Sequence, residues 1–272
     1  MVKKTQKTHN KNKKTRKNIK YNKGGGHSED DKHDLMIALQ YIRVDKAREV
    51  IEKDGTLANA TLDYIDRGSN SKPLHILLDI DIVYINPKVN YKGVLEICKI
   101  LINGYEKYMN TPEKKYKFIN SQDSEGTTPL YLAVKILAVD TVKLLLDNGA
   151  NVNIKNKHGE GIFNLVARHA LKYKKPGDKL TRLQQICDLL LNESQYTPDL
   201  NAKGDDGKTP LQIIKNKDNS IRKKFQEYID RVEQQKTIFK RASTHHDDDD
   251  DDDDEEGESI TSSISSVSSK KI

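Results

Sequence analysis

Three groups of residues in this 272-residue chain have types and spacings that could do chemistry. Ala202-Lys203-Gly204-Asp205-Asp206-Gly207-Lys208-Thr209 ends in the Gly-Lys-Thr of a phosphate-binding loop. Such a loop needs glycine where Ala202 stands, a strand before it and a long helix after it, and here Pro210 follows at once, so nucleotide binding is not expected. His245 and His246 precede eight aspartates, Asp247–Asp254, and both side-chain types ligate divalent cations. Without a fixed geometry the run reads as a solvated acidic segment, and no metal or cofactor is expected. Cys98 and Cys187 lie in matching contexts, Ile97-Cys98-Lys99-Ile100-Leu101 and Ile186-Cys187-Asp188-Leu189-Leu190, which suit small buried slots on helices. Two structural repeats apart, at about 10 Å per helix layer, they are too distant for a disulfide. His75, His158 and His169 show no metal-ligand spacing, and no Ser-His-Asp or Cys-His arrangement can be assembled, so no catalytic site is expected.

The charge distribution separates the ends from the body. Residues 1–23 carry ten Lys/Arg and no acid, whereas residues 247–258 carry eight Asp and three Glu, leaving a mildly basic middle. The first segment, closed by Gly24-Gly25-Gly26, has too few apolar residues to offset the entropy of ordering, and the last combines self-repulsion with low complexity. Both are expected to be disordered, dividing the chain into a basic arm (1–29), a folded domain (30–241) and an acidic, Ser-rich tail (242–272). Residues 3–23 could hold RNA or DNA by counterion release, and Lys13-Lys14-Thr15-Arg16-Lys17 resembles a nuclear-import patch; a solubilising tail is the equal alternative. Thr244 and the serines from Ser259 are candidates for phosphorylation. No run approaches the 18 or more apolar residues of a membrane span and no signal-peptide core is present, so an intracellular protein is expected, cytoplasmic or nuclear.

The body shows a period. Its most regular unit runs from Asp123 through Gly126-Thr127-Thr128-Pro129-Leu130, then Val139 to Leu146, to Gly149-Ala150-Asn151-Val152-Asn153. Thr128 can cap a helix that Pro129 starts without losing a hydrogen bond; Leu130, Leu132, Ala133 and Val134 supply its apolar face. The run from Val142 to Leu146 predicts a second, antiparallel helix, and Gly149 a left-handed stop. One such unit cannot bury its own apolar face and requires neighbours. Those neighbours are Lys72-Pro73-Leu74-His75 with Val94 to Ile102, Gly159-Glu160-Gly161-Ile162 with Ile186 to Leu191, and Gly207-Lys208-Thr209-Pro210 with Ile221 to about Arg241. A helix pair, Asp34 to Ile42 and Lys46 to Lys53, stopped by Gly55, is placed as an N-terminal cap. Insertions follow Asp79, Gly104 and Leu171, and that at Lys172 to Leu183 must lengthen a helix or form a basic loop.

This pattern resembles the ankyrin repeat over a full 33-residue unit, and the biased arm is similar to those on proteins of large DNA viruses. The resemblance implies an all-α solenoid of four repeats plus the cap, a non-enzymatic and monomeric protein-binding module, and partners held by hairpin fingers and first helices. In that frame the contact positions are Ser124, Glu125 and Thr127, then Lys157, His158 and Glu160, then Asp205, Asp206 and Lys208, with Lys135 and Arg168 further along the helices. His75 would support the loops by hydrogen bonding. Mixed signs among these residues point to a polar protein partner.

Overall fold

The computed structural model describes residues 28–62, 71–79, 90–215 and 219–244. Residues 1–27 of the basic arm, 80–89 directly after Asp79 and 245–272 of the acidic tail lie outside these residues, while the helices extend the folded domain to Glu29 at one end and Thr244 at the other. Eleven described helices follow one another: α1 (Glu29–Gln40), α2 (Val44–Lys53), α3 (Pro73–Leu78), α4 (Tyr91–Glu106), α5 (Pro112–Ile119), α6 (Pro129–Lys135), α7 (Val139–Asp147), α8 (Ile162–Lys172), α9 (Asp178–Asn192), α10 (Pro210–Ile213) and α11 (Ser220–Thr244). A short 3₁₀ turn spans Gly55–Asn59, and Leu62 pairs with Ser71 in an isolated antiparallel bridge.

The helices stack as two ladders. The first helices pack in the order α1, α3, α6, α8, α10, and the second helices in the order α2, α4, α7, α9, α11. One continuous core results, from Leu35 and Leu39 through Leu101, Leu130 and Leu145 to Phe163 and Phe225. Each layer covers its neighbour's apolar side, which is why no pair could stand alone. Small residues permit the contact: Ala38, Ala133 and Ala167 are all fully buried on first helices.

The capping chemistry follows the sequence. Thr128 Oγ1 accepts from Tyr131 N, and Thr209 and Gln212 form a reciprocal capping box at α10. Gly149 adopts φ +87°, the left-handed stop expected after α7. Cys98 and Cys187 are buried free thiols; desolvation pushes Cys98 up to about 12 and raises Cys187 too, so both stay protonated and unreactive.

Three features depart from the sequence reading. The pair α1–α2 is a full layer of the same kind as α6–α7. Both inter-helix turns place an apolar residue at positive φ, Ile42 at 51° and Leu137 at 60°, and both close with the same bonds, Arg43 N to Ala38 O and Ala138 N to Ala133 O. Gly55 is a packing residue rather than a stop: a Cβ there would lie 2.1 Å from Gly104 O, so the backbone of the 3₁₀ turn after α2 touches that of α4. The insertion after Gly104 folds back as α5, held by burial of Phe118 and Ile119 and by stacking of Phe118 on Tyr105 at 4.8 Å. At the remaining insertion both sequence alternatives occur, since α8 and α9 are extended and a basic linker, residues 173–177, joins them.

Candidate partner-binding face

Each finger is the same tight turn. The carbonyls of Asp123, Asn156 and Gly204 accept from the N–H groups of Gly126, Gly159 and Gly207, and the N–H groups of Asp123, Asn156 and Gly204 donate in turn to Thr127 O, Glu160 O and Lys208 O at 3.1 Å. The three turn glycines sit at φ +75°, +72° and +70°, a conformation that side-chain-bearing residues resist. Side chains finish the turns. Asp123 Oδ1 accepts from Glu125 N and Thr127 N, and Asn156 Oδ1 from His158 N and Glu160 N. At the third finger Gly204 has no side chain, and Asp206 Oδ1 takes Lys208 N instead; this bond holds the Asp206 carboxyl below its usual range.

The fingers are tied to one another. Lys157 N donates to Glu125 O (2.9 Å), and Gln122 Nε2 donates to Gly126 O (2.6 Å) and Lys155 O (3.1 Å). They are also tied to the helices behind them, through the third residues of α3, α6 and α8. His75 Nε2 lies 3.0 Å from both Ser121 O and Thr127 O, and since both partners are acceptors this nitrogen carries the proton. Tyr131 Oη donates to Glu160 Oε2 (2.8 Å), and Asn164 Nδ2 donates to Lys208 O (3.1 Å) while its Oδ1 accepts from Gly161 N (3.3 Å). Each layer therefore reaches forward and grips the next finger. The sequence reading placed His75 in this role but not Tyr131 or Asn164, although both occupy the same place after their helix starts.

Burial of His75, only 3% exposed, sets a pH dependence. Desolvation lowers its pKa below the ordinary 6.5, outweighing Asp123 and the two carbonyls, with Lys72 adding to the lowering. His169 is lowered likewise by desolvation and then by Lys172. The unfolded chain binds protons near pH 6.5 that the folded chain refuses, so stability is full above that pH and falls as pH drops through the window below it. Chemical denaturation at pH 7.5 and 5.5 should show a lower midpoint at 5.5, with His75→Gln reducing the difference.

The expected contact residues are brought together mainly with each other. His158 Nε2 lies 3.3 Å from Glu125 Oε2; Arg168 bridges Glu160 (2.8 Å) to Asp205 (3.2 Å) and Asp206 (3.7 Å); Lys208 lies 3.6 Å from Asp206. A charge ladder thus crosses all three fingers. Thr127 is buried, its backbone held by Asp123 and His75, and it offers little surface; Ser124 and Lys135 are half-buried. Lys157 is exposed and makes no ion pair among the described residues. Because Arg168 is 41% exposed, Arg168→Ala should change stability by less than about 1 kcal/mol in a denaturant melt, despite breaking three contacts.

Among the described residues no group of acidic, His or Cys side chains could hold a metal ion, and no described helix is long and apolar enough to cross a membrane. Residues 89–156, which span α4 to the base of the second finger, match the family model for ankyrin repeats in three copies. The chain carries ankyrin repeats. Over 93 residues, 34% of this chain, it is 34% identical to the human transient receptor potential cation channel subfamily A member 1, of which 7% is covered. Over 59 residues, 20% of this chain, it is 39% identical to a putative ankyrin repeat protein of Acanthamoeba polyphaga mimivirus, of which 3% is covered. The chain therefore spans less than a tenth of either relative in these matches, and the second is consistent with a viral origin. Ankyrin repeats are generally protein–protein interaction modules and typically non-enzymatic.

Proposed function

We propose that this ankyrin array binds a protein partner across the surface made by its three finger tips and first helices, and that it does so without chemistry of its own. The observation that supports this most is the preformed state of the fingers. Their backbones are bonded internally, to each other and to the helices behind, so presenting Glu125, Lys157, His158 and Asp205 costs little ordering entropy on binding. Alternating signs along the ladder favour a polar partner surface of complementary pattern over a uniformly charged one.

The basic arm provides the competing reading, attachment to nucleic acid through residues 3–23. Affinity purification of the tagged chain, with and without residues 1–26 and with and without nuclease, separates the two. Recovery of the same protein after arm deletion and nuclease treatment is the expected result. Loss of every associated protein under both treatments would favour the nucleic-acid reading.

A further inference from the structure

The insertion between α8 and α9 builds a second surface at the helix ends remote from the fingers. From Lys172 to Arg182 the chain holds five cations against one acid, Asp178, which is paired with Arg182 at 3.0 Å. Lys172 and Lys179 lie 5.7 and 5.6 Å from the centre of the Tyr173 ring, and Arg182 covers the Tyr91 ring at 4.4 Å. Lys174 and Lys175, at the tip, are exposed and have no side-chain partner among the described residues. We propose that this basic knuckle docks an acidic polypeptide segment of a partner protein.

Charge complementarity sets the sign of the occupant, and two observations set its kind. Single-stranded nucleic acid is held by bases stacked on aromatic faces, and here the faces of Tyr173 and Tyr91 are already taken by cations. A short knuckle of lysines also reaches few phosphates, whereas a run of carboxylates on a flexible chain can meet each ammonium separately. The eight aspartates of the chain's own acidic run fall short in cis. Gln184 Nε2 donates to Ser220 Oγ (2.9 Å), so the N-terminus of α11 is level with the second turn of α9. Thr244 is then about 36 Å away along α11, and the six residues from Gln184 back to Asp178 add about 9 Å. Asp254, the last aspartate and ten residues beyond Thr244, extends about 36 Å at most, and only Glu255–Glu258 could span the distance, at full extension.

The proposal rests on the protein-binding reading only in assigning the acidic segment to a partner. Binding of a fluorescein-labelled ten-glutamate peptide to the full chain, read by anisotropy at about 150 mM salt, tests it with Lys174→Glu/Lys175→Glu as the variant. The variant should bind about tenfold more weakly with an unchanged melting curve, and carbodiimide should couple peptide carboxylates to Lys174 or Lys175 in the parent chain. Three results would overturn it: equal affinity with all coupling confined to residues 3–23; a 20-nucleotide RNA that loses more affinity than the peptide does; or coupling of these lysines to Asp247–Glu256 of another copy in preference to the probe. Finger-dependent capture of a partner would survive each of these, so failure here leaves the finger reading standing.

Discussion

Replacing Asn164 with leucine is expected to lower stability by about 3 kcal/mol and to release the third finger from the array. Asn164 is 1% exposed and satisfies two backbone groups at once, accepting from Gly161 N and donating to Lys208 O. Leucine nearly matches its size but bonds neither, and each buried backbone group left unpaired costs about 1–3 kcal/mol. Since stacked repeats contact only their neighbours, the loss should be local. Hydrogen exchange should speed at Gly204 and Gly207, whose N–H groups close the third finger, while Gly126 and Gly159 keep their protection. Asn164→His should recover part of the loss, because histidine at position 75 grips the first finger in the same way.

The second large effect belongs to the other end of the stack. Gly55→Ala places a Cβ 2.1 Å from Gly104 O, and the obstacle is backbone, which cannot rotate away. On the far side of the contact, a Cβ on Gly104 would lie 2.1 Å from Ile51 Cγ2, and Ile51 is itself buried. Separation of α2 from α4 is the only relief, so destabilisation of about 2–3 kcal/mol is expected, with α1 and α2 opening before the rest. Within the folded domain, trypsin should then cut this pair first, at Arg43 or Arg48, whereas the parent chain should resist there.

These two sites also show what could be read from the sequence. The regular unit was legible because its helix start, apolar run and terminal glycine each have a local physical reason: Thr128, Pro129, Leu130 and Gly149 signal their roles without reference to any neighbour. Equivalence of α1–α2 with α6–α7 was not legible, since its evidence is a backbone turn at Ile42 that matches Leu137, and apolar residues carry no turn signal. Gly55 was misread for a related reason. Glycine after a helix reads as a left-handed stop, and only the fold shows a second glycine, 49 positions away, against it. At the fingers, mixed charge was visible in sequence, but pairing of Arg168 with three acids on two fingers depends on the stacking of α8 between them. Asn164 escaped notice because asparagine early in a helix is ordinary; its donor role appears only once the next finger stands over it.

The central claim is that finger tips contact a protein partner. Quantitative affinity-purification mass spectrometry should compare the parent chain with two variants of matched charge change, Lys157→Glu with His158→Glu on the second finger and Arg48→Glu with Lys99→Gln on the second-helix side. All four residues are exposed, so both variants should fold. At least about tenfold loss of the principal partner is expected for the finger variant, and retention for the other. Equal recovery with the finger variant, or selective loss with the second-helix variant, would contradict it.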